Sequence, residues 1–177
     1  MRVAMAQINP TVGDLHGNTR KIVSYIKSAR GAGSDLVIFP ELAVTGYPPQ
    51  DLLLKKEFVS KNKDALKDMT KNAGNMTSII GFVDSKDDVL YNAAAIFDGN
   101  KLIGTVYKTH LPTYDVFDED RYFKSPRIGN IRPIEIKSKG ISIGVEICED
   151  LWDEEYRVKV TDLLSKRGAD FIVNISA

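Results

Sequence analysis

Hydrophobic and polar positions change period along the chain, and those changes divide it into elements. Val3 to Ile8 is apolar enough for a buried strand, and the turn-forming run Asn9-Pro10-Thr11-Val12-Gly13-Asp14 follows it. Ile22, Val23, Ile26 and Ala29 then recur on one face of a helix, with Asn18 as its expected N-cap and Gly31 and Gly33 as its stop. Leu36 to Phe39 is a short continuous apolar run closed by Pro40, the pattern of a central strand covered on both faces. From Asp51, the spacing of Leu54, Phe58, Ala65, Leu66 and Met69 predicts a second helix, lysine-rich outside and finished near Gly74.

Beyond Gly74 the period shortens. Ser78 to Val83, Leu90 to Phe97 and Lys101 to Tyr107 read as strands, the last two joined by Asp98-Gly99-Asn100, residues that tolerate positive φ. A second hairpin pairs Ile131 to Ile136 with Ile141 to Ile147 around Ser138-Lys139-Gly140. Tyr156 to Lys166 reads as a helix with Val160, Leu163 and Leu164 inward, and Asp170 to Asn174 as a last strand. Helices between some strands and hairpins between others predict mixed sheets covered by helices, an α/β fold with α+β character. The sequence stops at Ala177 directly after an apolar strand, so a C-terminally truncated domain is expected.

Composition narrows the setting. With 177 residues, 43% of them hydrophobic, the chain suits one soluble domain that buries roughly 70% of its unfolded surface. Its 24 Lys and Arg balance 24 Asp and Glu, which gives no electrostatic reason to expect a nucleic acid or an anionic membrane as partner. No apolar run approaches the roughly 20 residues of a membrane helix, and Met1 to Gln7 lacks the apolar stretch of a signal peptide. One cysteine cannot form an internal disulfide, and with the distant His16 and His110 it lacks zinc-ligand spacing. A cytoplasmic protein without a metal is the expectation.

Three predicted strands end on reactive side chains. Cys148 follows Ile141 to Ile147, at the kind of strand C-terminus where ligands bind in open sheets. A lone cysteine is as often a small buried hydrophobe. Glu146, Glu149, Asp150, Asp153, Glu154 and Glu155 crowd it, and such carboxylates hold a thiol in its protonated form. A nucleophile here therefore needs a base or a cation beside it. Glu41 follows Phe39-Pro40, and a carboxylate at the edge of an apolar core suits general acid–base work. Taken alone it reads better as a helix N-terminal carboxylate or a surface acid. Lys108 follows Lys101 to Tyr107, and alone it is an ordinary solvated lysine. Together the three fit amide or nitrile hydrolysis: Cys148 attacks, Glu41 carries the proton, and Lys108 with a backbone N–H stabilises the oxyanion. A papain-like pair of Cys148 with His110 is the competing arrangement.

The surrounding runs resemble a known family. PELAVTGYPPQDLL (Pro40 to Leu53), YKTHLPTYDVFDEDRYF (Tyr107 to Phe123) and GVEICEDLW (Gly144 to Trp152) are similar to the three motif regions of the nitrilase superfamily, the carbon-nitrogen hydrolases, with Glu, Lys and Cys in the family's order. The opening AQINPTVGDLHGN (Ala6 to Asn18) resembles the family's start. Within the superfamily the likeness is strongest to the glutaminase domains of the glutamine-dependent NAD synthetases. It implies an α-β-β-α sandwich over residues 1–177, glutamine as substrate through a Cys148 thioester, and ammonia passed to deamido-NAD. It also implies a homo-oligomer. The amidase domain then needs no cofactor, and ATP, Mg and deamido-NAD belong to a synthetase domain not encoded in this sequence. Tyr47, Tyr114, Glu149 and Trp152 stand where that family binds glutamine, and Ser176 matches a serine that meets the substrate's amino-acid end. Among Asp115, Asp118 and Glu119, Glu119 is preferred as the acid that orients the catalytic groups. A stand-alone amidase acting on small linear amides, and an inactive piece that associates through uncovered strands, are the alternatives.

Overall fold

The computed structural model describes residues 1–69, 71 and 73–177. Five strands form one sheet in the order β1 (Val3–Met5), β2 (Leu36–Ile38), β3 (Thr77–Lys86), β4 (Val89–Asp98) and β5 (Lys101–Tyr107). The first three run parallel, and β3, β4 and β5 are successive antiparallel hairpins. A second sheet holds β6 (Ile134–Ile136), β7 (Ile141–Ile147) and β8 (Phe171–Ile175), with β6 antiparallel and β8 parallel to β7. Helices α1 (Leu15–Gly31) and α2 (Lys56–Met69) cover the first sheet, and α3 (Val160–Lys166) covers the second.

Strand alternation builds these layers. Along β2 and the residue after it, Val37 and Phe39 pack with Ile22 and Ile26 of α1, whereas Leu36 and Ile38 pack with Ile143, Val145 and Ile147 of β7. In β4 the partition falls within three alanines: Ala93 and Ala95 face the helices and Ala94 faces the other sheet. A sheet covered on both faces needs apolar residues at both parities, which is why these strands read as continuous hydrophobic runs. The expected mixed sheets and α-β-β-α layering are present.

Several boundaries differ from the sequence reading, each for a local reason. Helix α1 is capped by Asp14, which accepts from Gly17 N at 2.8 Å. Asn18 lies inside the helix and is fully buried, its side chain pairing with both backbone groups of Thr11 and with Val44 O. Strand β1 is short because it is an edge strand pairing only with three residues of β2. Leu54 sits in a 3₁₀ turn, Gln50–Leu54, and is 69% exposed; the α-helix starts at Lys56 and buries Val59, Leu66 and Met69. The predicted helical start at Tyr156 is a turn, since Asp153 accepts from Val160 N and sets the first helical residue there. Strand β6 starts only at Ile134, because Pro133 has no N–H to give a ladder. The β3–β4 turn, Asp87-Asp88, puts both residues at positive φ without a glycine.

Candidate active site

Each of the three predicted residues is delivered by a strand that has just ended. After β2, Phe39 N still bonds Ile79 O, and then Pro40 ends the pairing and the backbone turns at Leu42, φ +46°. Gly81 of β3 makes room for this turn: a Cβ there would lie 2.2 Å from Pro40 O and 2.5 Å from Leu42 N. Glu41 is thereby held inside the sandwich, 1% exposed. Lys108 is the first residue past β5, with its N–H still on Asn92 O at 2.9 Å. Cys148 is the first residue past β7 and has φ +47°, a left-handed conformation that costs a non-glycine residue about 1–3 kcal/mol. Leu42 and Cys148 repeat one device, a strained residue that turns a strand end inward.

The side chains meet in a buried charge cluster. Lys108 Nζ donates to Glu41 Oε1 and to Glu119 Oε1, each at 2.8 Å, and all three residues are buried. Of the three nearby acids considered from the sequence, Glu119 is the one that reaches the lysine; Asp118 pairs with Arg121, and Asp115 lies in a left-handed turn. Burial pulls the Lys108 ammonium toward its neutral form, but the Glu41 and Glu119 charges and their hydrogen bonds outweigh it, so the ammonium is held charged. Burial pushes the Glu119 carboxyl above its usual range, against the pull of Lys108.

Cys148 closes this cluster from the second sheet. Its thiol lies near enough to Glu41 and Ser176 for both side chains to act on its proton affinity. Burial, and after it the Glu41 charge, raises the thiol to about 11 from its ordinary 9.0, with Lys108 pulling the other way. The sequence predicts the same direction from the acids beside Cys148 in the chain, but the three nearest of those carboxylates hold other partners. Asp150 accepts from Thr109 N, His110 N and Ile147 N. Glu146 holds Thr161 and Asn174. Glu149 accepts from Tyr114 and Tyr156. The thiol is neutral near pH 7, and a proton acceptor stands against it.

The residues assigned to substrate binding sort into two groups. Tyr47 joins the charge cluster, donating to Glu119 Oε1 at 2.9 Å, and Ser176, near the thiol, donates to Asn174 Oδ1 at 2.8 Å. Tyr114 and Glu149 form a second unit, where Tyr114 OH donates to Glu149 Oε2 at 2.8 Å. The Tyr114, Phe117 and Tyr47 rings line up beside it in edge-on and tilted contacts. Trp152 is 68% exposed, just past the Cys148–Leu151 turn. His110 is committed elsewhere: its ring stacks on Tyr156 at 3.9 Å and its Nε2 meets Val158 O, which removes it as a base for Cys148.

Three participants escaped the sequence reading. Asn92 donates to Glu41 Oε1 at 2.7 Å and to Glu119 Oε2 at 3.3 Å. Asp150 ties the segment after Lys108 to the strand before Cys148 through backbone groups alone. Tyr156 fills the second oxygen of Glu149 at 3.0 Å. The signal for Asn92 was a polar residue within a continuous apolar strand. Among the described residues, no group of three or more His, Cys, Asp or Glu side chains is arranged to hold a metal ion, and no helix is long and apolar enough to cross a membrane.

A sandwich of this layering with an acid, an ammonium and a thiol converging from three strand ends defines an amide-bond hydrolase scaffold. The chain belongs to the carbon-nitrogen hydrolases, whose family model matches residues 2–177. It is 41% identical over 180 aligned positions to the glutamine-dependent NAD(+) synthetase of Thermotoga maritima, which covers 100% of this chain and 30% of that protein. The solved glutamine-dependent NAD+ synthetase of Acinetobacter baumannii, in complex with ADP, matches with a TM-score of 0.87 at 32% identity, over 99% of this chain and 32% of that one. An amidase from Nesterenkonia sp. shares the fold, with a TM-score of 0.83 at 17% identity over 99% of this chain and 64% of its own. The chain spans about 30% of the length of the curated synthetases it matches.

Proposed function

We propose that residues 1–177 form the glutamine-hydrolysing part of a glutamine-dependent NAD synthetase, with Cys148 as nucleophile, Glu41 as general base and acid, and Lys108 as oxyanion donor. Glu41 takes the thiol proton as sulfur attacks the amide carbon. The oxyanion is held by Lys108 Nζ and the backbone N–H of Glu149. Collapse of the tetrahedral species breaks the C–N bond, and the leaving nitrogen takes the proton back from Glu41 and departs as ammonia. Water then gives a proton to Glu41 and attacks the thioester; the proton returns to sulfur and glutamate is released. Glu119, Tyr47 and Ser176 hold these groups in place, and Glu149 grips the substrate's α-ammonium by charge-assisted hydrogen bonds. Trp152 and Tyr114 form the rim around it.

The observation that carries this reading is that one buried carboxylate, Glu41, bonds the Lys108 ammonium at 2.8 Å and lies near enough to the Cys148 thiol to act on its proton. The pairing of Glu149 with two tyrosines favours an α-amino substrate over a simple linear amide. In this reading the ammonia goes to deamido-NAD on a synthetase domain that uses ATP and Mg, in a homo-oligomer in the cytoplasm. The test is ammonia release from glutamine by the protein and by Cys148→Ala. Release is expected to vanish in the variant, and undiminished release rules out the mechanism.

A further inference from the structure

The charge cluster contains one side-chain amide, Asn92, which touches both of its carboxylates. Asn92 lies midway along β4, is 1% exposed, and replaces an apolar side chain in the run from Leu90 to Phe97. Its backbone carbonyl accepts from Lys108 N, while its side-chain nitrogen bridges Glu41 Oε1 and Glu119 Oε2. Its Oδ1 accepts no hydrogen bond among the described residues. The two carboxylates fix the amide orientation, because an oxygen turned toward them would face two acceptors.

We propose that Asn92 is a positioning residue for the proton-transferring carboxylate: it bridges Glu41 and Glu119, fills the lone pairs of Glu41 Oε1 together with Lys108, and so leaves Oε2 to receive the thiol proton. This rests on the reading of Glu41 as base. Two carboxylates and one ammonium leave an excess negative charge in a buried space, where like charges raise each other's affinity for protons. An amide supplies two donors with no charge of its own. It also spares the ammonium. Lys108 has three protons, one on each carboxylate, and with Asn92 also on Glu41 Oε1 and on Glu119 Oε2 the third stays available for an oxyanion. A leucine at this position has similar bulk and no donors; an aspartate has the same shape and adds a third negative charge.

The charged and titratable groups facing Asn92 are Glu41, Glu119 and Lys108, with Tyr47 and Cys148 one contact further out. The test is the rate of Cys148 alkylation by iodoacetamide as a function of pH, which needs no substrate recognition. Wild type should react faster at pH 7 than Glu41→Gln, whose thiol depends on its own ionisation and gains rate as pH rises. Asn92→Leu should lose roughly 10–100-fold at pH 7, within the range for general base catalysis and misplacement, and its pH profile should move toward that of Glu41→Gln. Asn92→Asp should be slower again at pH 7, and Asn92→Asp with Glu119→Gln, which restores the charge count and returns an amide to the bridge, should regain at least about tenfold. A purely space-filling role would leave both pH profiles unmoved. Asn92→Leu reacting within about twofold of wild type overturns the inference; if that variant does not fold, a double variant no faster than Asn92→Asp overturns it. Wild type no faster than Glu41→Gln sinks Glu41 as base and Asn92 with it, whereas fast wild type with equally fast Asn92→Leu sinks only Asn92.

Discussion

The two sheets supply the site in different ways. The five-stranded sheet and the loops leaving it contribute Glu41, Lys108, Glu119 and Asn92, side chains that bond one another and are at most 6% exposed. The three-stranded sheet contributes Cys148, held in a strained conformation whose carbonyl accepts from Asn174 and whose flanking strand leans on Asp150. In the proposed mechanism the proton-handling half is thus a closed electrostatic unit, and the nucleophile half is a backbone fixture brought up to it. The difference locates the vulnerability: charge changes should damage the first half, and loss of backbone tethers should damage the second.

The largest break expected is at Lys108. Lys108→Met keeps the aliphatic stem but leaves Glu41 and Glu119 facing each other without a cation. Removing one partner of a buried pair costs about 3–5 kcal/mol, and losing an oxyanion donor costs about 10²–10³ in rate. Urea unfolding should show the first and ammonia release from glutamine the second. Wild-type stability in the variant would mean that the cluster is not the closed unit described.

A smaller effect, confined to the nucleophile half, is expected from Asp150→Asn. Asp150 Oδ1 accepts from Thr109 N and His110 N, and Oδ2 from Ile147 N at 3.1 Å. An asparagine can keep the first pair, but its NH₂ then faces the Ile147 N–H, donor against donor, beside the turn that presents Cys148. Leaving a buried donor unpaired costs about 1–3 kcal/mol, and the thiol's alkylation rate should drop about tenfold through misplacement of the elbow. Lys108 and Glu41 should stay joined. Loss of stability with an unchanged alkylation rate would show that the elbow holds its shape without this tether.

What the sequence disclosed follows the same division. Glu41, Lys108 and Cys148 were legible because each ends an apolar run, where a polar residue has to leave the sheet and can point into a crevice. The layers were legible because strands covered on both faces read as unbroken hydrophobic runs. Asn92 showed only as a polar residue interrupting such a run, and only the fold reveals the carboxylates it meets. Asp150 was visible but misread as one of several acids bearing on the thiol. Adjacency in the chain says little about direction: three successive residues after β7 point to three different partners. Helix starts were misplaced where side chains from outside the periodic pattern, Asp14 and Asp153, set the first turn.

The mildest test addresses the rim, which belongs to neither half. Glu149 is 6% exposed and accepts from Tyr114 at Oε2 and from Tyr156 at Oε1. Burial, followed by the bond to Glu149, raises the Tyr156 phenol to about 12, so it remains a donor through the neutral range. With one donor on each oxygen, the carboxylate plane is fixed and a lone pair on each stays open to an incoming ammonium. Tyr156→Phe removes one of these donors and retains the ring that stacks on His110. The loss is one hydrogen bond to a charged group at the edge of the site, about 1–2 kcal/mol or roughly 5- to 30-fold. It should appear as a raised KM for glutamine with kcat nearly unchanged, because Glu149 is not part of the proton relay. Iodoacetamide should alkylate Cys148 in this variant as fast as in wild type. A parallel drop in alkylation would mean that the rim and the nucleophile turn move together, and the separation of substrate grip from proton handling would fail at Glu149, the residue next to the nucleophile.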